Sequence, residues 1–231
     1  MSLQLVIGNK NYSSWSLRPW IAMTVAGLPF EEIVVPLGGP EFKATVGRHS
    51  GTGKVPVLID GDVPVWESLA ILEYLADKFP EAHLWPADRV ARAHARTIAT
   101  EMHAGFAALR KALPMNFSRP PMRRPLGDDV RRDIARIEAI WRDCRKRFGE
   151  RSAAGGPFLF GRFGAADAMY APVVSRFHTY AVEVGPEAKA YMAAMMALPA
   201  WVSWTTAALR EPWVHPNAEP DWPDVPRIEV E

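Results

Sequence analysis

Strand patterns and helix patterns alternate over the first 79 residues. Short apolar or β-branched runs predict strands, and apolar residues spaced by three or four positions predict helices. The order is strand, helix, strand, an irregular or helical stretch, then two strands around the hairpin signal Gly61-Asp62 and a last helix. This order predicts a small α/β domain. The predicted elements, in chain order, are 3–7, 15–26, 31–35, 55–60, 63–66 and 68–79.

A break containing prolines, residues 80–86, predicts a linker to a second domain. Helical patterns follow over 89–113, 128–148, 165–184, 186–196 and 199–209, and the third is apolar nearly throughout, which predicts a central buried helix. Five prolines after Glu211 argue against a further helix and predict a tail that lies on the surface. We therefore predict a thioredoxin-like domain over 1–80 and an all-helical domain over 87–231 that ends in a proline-rich tail. The five prolines are Pro212, Pro216, Pro220, Pro223 and Pro226.

Composition narrows the class of protein. The chain has 231 residues, of which 48% are hydrophobic, and a formal net charge of +1, so it predicts a globular protein and gives no reason to expect nucleic acid as a partner. Its one cysteine excludes an internal disulfide and indicates a reducing compartment. The start of the chain has no signal-peptide pattern, and no apolar run reaches the roughly 18 residues of a membrane span. We expect a soluble cytoplasmic protein.

Serines are concentrated where the first predicted strand gives way to the first helix, in the segment Asn11-Tyr-Ser-Ser-Trp-Ser-Leu-Arg-Pro-Trp20. A free thiol has a pKa of about 8.5, so little of it is ionised at neutral pH. A hydroxyl that donates a hydrogen bond to sulfur favours the thiolate, and a helix N-terminus adds partial positive charge. Ser13, Ser14 and Ser16 are placed for this chemistry. The alternative is that Ser13 and Ser14 only cap the helix.

A second segment begins about 40 residues later, at Lys54-Val-Pro56, and ends at Glu67-Ser68. Val55-Pro56 enters the predicted hairpin, and Glu67-Ser68 begins the helix after it. An acidic side chain at such a position can hold an ammonium group, and a hydroxyl with a backbone N–H at a helix N-terminus can bind a carboxylate. Helix capping is again the alternative.

Together the two segments resemble the glutathione transferase superfamily, and the resemblance extends over roughly residues 3 to 210. Ser13-Ser-Trp-Ser-Leu-Arg18 is similar to the Ser-Ser-Cys-Ser-Trp-Arg loop of the zeta class, and the eleven-residue step from Pro56 to Glu67 matches the family. Trp15 stands where the zeta class has cysteine, which disfavours thiol transfer and any isomerase step that needs that cysteine.

The resemblance implies that glutathione is the cosubstrate, without a metal. Ser13, supported by Ser14, would stabilise its thiolate, which attacks a small electrophile in a cleft between the domains. In the family the proline at Pro56 is cis, so Val55 would turn its backbone toward the cysteinyl group. Lys54 would meet the glycyl carboxylate, with a solvated lysine as the alternative. The implied glutathione-binding residues are Trp15, Lys54, Val55, Pro56, Glu67 and Ser68.

The expected electrophile site lies between Trp15 and the middle of the first long helix. Arg176, on the apolar central helix, needs a partner, which is either a structural ion pair or a substrate carboxylate. The basic, proline-rich stretch 118–125 either attracts acidic substrates or is a solvated loop. The candidate electrophile-site residues are Trp15, Glu101, Met102, His103, Phe106, Asn116 and Arg176.

Other polar residues read as structural. Asp167 lies in a stretch that resembles the family's helix-capping motif, with Gly164 in place of Ser or Thr, so we expect a structural role. Cys144 lies within a predicted helix, far in sequence from the glutathione segments, and we expect it to be inert. The six histidines lack metal-ligand spacing, so no metal site is predicted.

These observations favour a detoxifying glutathione transferase, and the resemblance implies a homodimer. The alternatives within the family are glutathione-dependent isomerisation of a small dicarboxylate, as in maleylacetoacetate isomerase, a peroxidase or a dehalogenase. A non-catalytic transferase-like binding or scaffold protein is the alternative from another class. The serines and the Glu-Ser pair disfavour it, because scaffold members of the family often lack one or the other.

Overall fold

The computed structural model describes residues 2–39, 41–152, 155–221 and 223–228, so the ends of the predicted domains at 1 and 231 lie outside the described residues. The α/β part holds β1 (Leu3–Ile7), α1 (Ser14–Val25), β2 (Phe30–Val34), α2 (Phe42–Gly47), β3 (Val57–Asp60), β4 (Val63–Trp66) and α3 (Ser68–Lys78). The strands form one sheet in the order β2-β1-β3-β4. β1 runs parallel to β2, and β3 is antiparallel to both of its neighbours.

The rest of the described chain is helical. It comprises α4 (Arg89–Ala104), α5 (Ala107–Ala112), α6 (Asp128–Cys144), α7 (Ala165–Thr179), α8 (Pro186–Met196) and α9 (Pro199–Leu209), with 3₁₀ turns at Pro80–Ala82 and Pro216–Ala218 and a π-helical turn at Arg145–Gly149. A thioredoxin-like α/β part followed by a helical part confirms the predicted fold class.

The predicted helix over 89–113 is wrong in one respect, because it is broken between α4 and α5. Phe106 lies in the left-handed region with φ 56°. A side chain at Gly105 would bring its Cβ within 2.7 Å of the Glu101 carbonyl oxygen, so glycine is required at the break. The predicted helix over 165–184 is also too long, since α7 ends at Thr179 and Ala181 has φ 45°.

Helix α7 forms the centre of the molecule, as its apolar sequence predicted. It packs on α1 from the α/β part and on α4 from the helical part, so one hydrophobic core extends through both. Asp167 closes its first turn: Oδ2 accepts from the N–H of Gly164 at 3.0 Å, and Oδ1 accepts from Leu159 N–H and Tyr191 O–H. Asp167 is therefore structural, as expected.

The sequence predicted that the segment after α9 lies on the surface, and this prediction is wrong in part. It returns to the loop between β1 and α1, where Glu219 is buried. In the described part of the chain no single helix is long and apolar enough to cross a membrane. α8 and α9 reach that length and composition only as a pair, bent by 73°.

Candidate functional site

The loop that carries the predicted serines, residues 8–14, is called the serine loop below. Ser13 and Ser14 are 6% and 9% exposed. Ser13 Oγ donates to Ser16 Oγ at 2.7 Å, and Ser16 Oγ also accepts from the N–H of Gly8 at 3.1 Å. Among the described residues the Ser14 hydroxyl has no hydrogen-bond partner. The Ser14 hydroxyl, at the start of α1, is therefore free to donate a hydrogen bond to a ligand.

The second predicted segment, which begins at Lys54, starts with the backbone conformation that was expected. The Val55-Pro56 bond is cis, as the resemblance implied. Pro56 is buried and Val55 is half-buried. Lys54 is exposed and has no ion pair or hydrogen bond within the part of the chain described, which leaves both of its predicted roles open.

The other end of that segment faces the helical part. The Glu67 side chain is about half exposed, and its Oε2 lies 3.6 Å from His103 Nε2. Ser68 is fully buried, and its Oγ accepts from Arg18 Nη1 at 3.4 Å and donates to Met169 Sδ at 3.9 Å. Its hydroxyl is thus occupied, so a carboxylate at this helix N-terminus would rely on backbone N–H groups.

Trp15 lies at the junction of the two parts, surrounded by cations. Its ring centre is 4.1 Å from Arg18 Cζ, on the same helix, and 5.4 Å from Arg110 Cζ, on α5. The ring of His103, on α4, makes an edge contact at 5.1 Å. Burial, followed by the charge of Arg18, lowers the pKa of His103, which favours a neutral imidazole at neutral pH.

Arg18 is fully buried, and its Nε and Nη2 have no hydrogen-bond partner in the described chain. Burial holds the pKa of Arg18 well below its usual range, and the charges of Arg176 and Arg110 lower it further. None of these three arginines forms an ion pair with a described residue. A buried guanidinium without a carboxylate is unfavourable, so this junction favours an anionic ligand.

Of the residues predicted for the electrophile site, the structure brings Trp15 and His103 together. Met102 and Phe106 are instead buried in the core. The carboxylate of Glu101 makes two hydrogen bonds to Arg136 on α6, at 2.7 and 2.9 Å, so it is engaged away from Trp15. These three assignments are therefore not supported.

The last two predicted residues also have structural partners. The Asn116 side-chain amide donates to Glu219 Oε2 at 2.7 Å, and its Oδ1 accepts from the backbone of Ser118. Arg176 forms no ion pair with a described residue, so the predicted structural ion pair is not found there. It donates to the carbonyl oxygens of Leu113 and Pro172, and burial with the charge of Arg110 lowers its pKa to about 10.

Two residues of this junction, Arg18 and Arg110, were not among those predicted from the sequence. Arg18 ends the quoted serine motif, three residues after Trp15, and helical spacing alone places the two side chains on one face. Arg110 follows the unpredicted break, and its Nη1 donates to the His103 carbonyl oxygen at 3.1 Å.

A cavity of about 510 Å³ lies elsewhere, between residues 83–88, the π-helical turn that follows α6 and the start of α7. None of the predicted site residues lines it, so it does not mark the serine site. Within the described ranges, no three His, Cys, Asp or Glu side chains are grouped as metal ligands would be.

Two family models match the chain. The glutathione S-transferase N-terminal domain matches residues 12–78, and the glutathione S-transferase C-terminal domain matches residues 87–207. The second match alone covers more than half of the chain.

Curated relatives agree with these matches. A zeta class glutathione S-transferase of Euphorbia esula is 30% identical over 161 residues, which is 68% of this chain and 66% of that protein. Glutathione S-transferase Z2 of Arabidopsis thaliana is 42% identical over 36% of this chain and 40% of its own length. A probable maleylacetoacetate isomerase of Caenorhabditis elegans is 38% identical over 42% of this chain and 45% of its own length. The chain thus spans 40% to 66% of the length of these relatives.

Solved structures share the fold. A glutathione transferase homolog from Burkholderia gl BGR1, with bound glutathione, has a TM-score of 0.66 at 23% identity and covers 90% of this chain and 98% of its own. Ure2p in complex with glutathione has a TM-score of 0.67 at 19% identity and covers 89% and 94%.

Proposed function

Because the chain belongs to the glutathione S-transferase superfamily, we propose that it is a glutathione transferase that stabilises the glutathione thiolate with the Ser14 hydroxyl. The observation that supports Ser14 is its hydroxyl, which is without a partner among the described residues at the start of α1. Ser13 was the first choice from the sequence. Its hydroxyl donates to Ser16, which makes it a support for the loop in this arrangement.

The proposed chemistry needs one hydrogen bond and one helix end. The Ser14 O–H donates to the glutathione sulfur and favours its charged form, and the N-terminus of α1 adds partial positive charge. Lowering a thiol pKa by one unit from about 8.5 raises its thiolate fraction at pH 7 about eightfold. The thiol proton passes to solvent, and the thiolate sulfur forms a bond to an electrophilic carbon. The bond from that carbon to a leaving group breaks with its electron pair, or, in an addition, the π bond breaks and its pair takes up a proton. The serine is unchanged.

The test is titration of glutathione into the wild type, Ser13→Ala and Ser14→Ala, with thiolate absorbance recorded across pH. Ser203→Ala, at an exposed position on α9, is the matched control. We expect the wild type and the control to lower the thiol pKa, Ser14→Ala to lose most of that effect, and Ser13→Ala to lose less. If both loop variants keep the wild-type pKa, the mechanism is wrong. Binding without a lowered thiol pKa would identify a carrier or scaffold.

We propose as a second function the glutathione-dependent isomerisation of a small dicarboxylate. The supporting observation is the junction around Trp15, where Arg18 and Arg110 lack carboxylate partners in the described chain. Relatives named maleylacetoacetate isomerase come from Caenorhabditis elegans and from Pseudomonas aeruginosa, the latter 27% identical over 67% of this chain and 78% of its own length. The two functions are separated by measuring two rates with the same protein. One is the isomerisation of maleylacetoacetate, and the other is the conjugation of glutathione to a neutral aryl halide.

We also propose that the protein is a cytoplasmic homodimer. Val63 and Trp66, on the edge strand β4, are 49% and 43% exposed, so this edge of the sheet carries two large apolar side chains that a second copy could cover. Sedimentation velocity of wild type and Trp66→Glu tests the dimer, and cell fractionation tests the compartment.

A further inference from the structure

The proline-rich segment after α9 returns to the serine loop and binds its backbone. We call residues 211–221 and 223–228 the strap. Glu211 Oε1 accepts from the N–H of Lys10 at 2.7 Å, and Oε2 accepts from the N–H of Asn11 at 3.0 Å. Trp204 Nε1, on α9, donates to the Lys10 carbonyl oxygen at 3.0 Å. The peptide groups on both sides of Lys10 are therefore held from the other end of the chain.

The residue that precedes Ser13 is held by a second strap carboxylate. Tyr12 O–H donates to Glu219 Oε1 at 2.6 Å, and Glu219 is only 8% exposed. Asn116 Nδ2 donates to the other oxygen at 2.7 Å, and Arg227 Nε lies 3.3 Å from Oε1. Burial and the bond to Glu219 raise the pKa of Tyr12 to about 12, so its phenol remains a donor across the physiological pH range.

The strap is itself fixed to the connection that follows α5. Arg119 forms an ion pair with Asp221 at 2.8 Å, and the N–H of Ile228 donates to the Ser118 carbonyl oxygen at 2.6 Å. The same connection reaches the serine loop directly, because Asn11 Oδ1 accepts from the N–H of Ser118 at 2.9 Å. Strap, connection and loop thus form one hydrogen-bonded unit.

The backbone hydrogen bonds within this loop are between neutral groups. Within it, Tyr12 N–H and Ser13 N–H both donate to the Asn9 carbonyl oxygen, at 3.2 and 2.8 Å. Hydrogen bonds that N–H groups donate to ionised carboxylates are about twice as strong as bonds between neutral groups, so the strap supplies the strongest contacts. Misplacing a catalytic group by about 1 Å can reduce a rate by roughly a hundredfold.

We propose that Glu211 and Glu219 are positioning residues, which act through the backbone of the serine loop to aim the Ser14 hydroxyl at a bound thiol. The inference rests on the proposed glutathione transferase function. Beyond that function, the strap completes the thiol site without touching the ligand.

The experiment uses full-length Glu211→Gln and Glu219→Gln. Asp224→Asn is the matched control, because this strap carboxylate is exposed and has no ion pair or hydrogen bond with any residue described. Glutamine keeps the size of the side chain but turns an NH₂ group toward one of the donors, so at least one bond is lost. The first measurement is amide hydrogen exchange over residues 8–13. We expect exchange about tenfold faster in Glu211→Gln and wild-type exchange in the control.

The second measurement is the pH midpoint of thiolate absorbance for bound glutathione. We expect Glu211→Gln and Glu219→Gln to raise that midpoint by about half a pH unit or more, with less than about a threefold change in the dissociation constant. A purely structural role would lower the melting temperature and leave the midpoint in place. Wild-type exchange and a wild-type midpoint in both variants would overturn the proposal.

A variant of a buried carboxylate can fail to fold. If a changed buried carboxylate prevents folding, Tyr12→Phe removes the contact to Glu219 and leaves the carboxylate with Asn116 and Arg227. The same rise in midpoint supports the proposal, and an unchanged midpoint opposes it.

If the wild type itself does not lower the thiol pKa, the proposed function fails. Amide exchange at Lys10 and Asn11 then still decides whether Glu211 holds the loop.

Discussion

Arg18 Cζ lies 4.1 Å from the ring centre of Trp15, one helical turn earlier in α1. Among the described residues this guanidinium makes that one cation–π contact and one hydrogen bond, to Ser68 Oγ at 3.4 Å. A buried cation with so little compensation weakens the fold and leaves capacity for an anion. The first prediction follows from this relationship.

Arg18→Met is expected to leave the free energy of unfolding unchanged or to raise it by about 1 kcal/mol, because an uncompensated buried charge is replaced by an apolar chain. Glutathione affinity is expected to fall by about tenfold, since a fixed positive charge is lost beside its site. Denaturant unfolding and calorimetry measure the two effects. Arg142→Met, at an exposed position on α6, is the control. A large loss of stability with unchanged affinity would show that Arg18 is structural.

Ser16→Ala removes the acceptor for both Ser13 O–H and Gly8 N–H. Leaving a buried N–H without a partner is expected to lower the free energy of unfolding by about 1–3 kcal/mol. The control is Ser203→Ala on the exposed face of α9. Equal stability of the two variants, measured by urea unfolding, would argue against the bond network in the serine loop.

Gly164→Ser would restore the capping residue that the resembled motif has, yet we expect it to be destabilising. A Cβ at this position would lie 2.7 Å from the Leu84 carbonyl oxygen, which is held in place by the N–H of Ala165. Overpacking of this kind reduces stability by about 1–3 kcal/mol. Gly47→Ala is the control, since no atom lies within 4 Å of its added Cβ. A gain in melting temperature for Gly164→Ser would contradict the steric argument.

Burial raises the pKa of Asp167 to about 6, against an ordinary value of 3.8. The folded chain therefore keeps this proton to a higher pH than the unfolded chain, and the stability that the neutral carboxyl contributes below about pH 4 is lost as the pH rises through 6. Asparagine does not titrate, so the stability of Asp167→Asn lacks this pH dependence. The amount by which its free energy of unfolding falls below that of the wild type is therefore expected to shrink between pH 4 and pH 7, by up to about 3 kcal/mol. Unfolding of both proteins at matched pH measures this change, and a cost that is constant across the range speaks against it.

Cys144 is expected to be unreactive in the folded protein. It is fully buried, and burial raises the pKa of its thiol to about 12, so it remains protonated at pH 8. A thiol reagent should therefore label well under a tenth of the protein at pH 8 without denaturant, and about one thiol per chain in guanidinium chloride. Rapid labelling of the native protein is the contrary result.

The fold could be predicted because its signals are local. Strand alternation, helix spacing and the Gly61-Asp62 turn are all visible within short windows of sequence. The break between α4 and α5 was not visible, because the buried residues keep their helical spacing across it. They are Ile98, Met102, Phe106, Leu109 and Leu113.

The site was predictable only in part. The serines and the Val-Pro and Glu-Ser pairs lie in recognisable motifs, whereas the environment of a side chain depends on partners far along the chain. Glu101 is paired with a residue 35 positions away, and Asn116 with one 103 positions away. Arg18 was not predicted because its role depends on its burial, and no window of sequence reveals burial at a domain junction.

The strap also sets an order of events during synthesis. The serine loop lies within the first fourteen residues, but the carboxylates that hold it are at positions 211 and 219 of 231. Translation proceeds from the N-terminus, and domains generally fold in that order. A nascent chain therefore carries both serines long before it carries Glu211 and Glu219, so the loop gains these two contacts only after both glutamates have been synthesised.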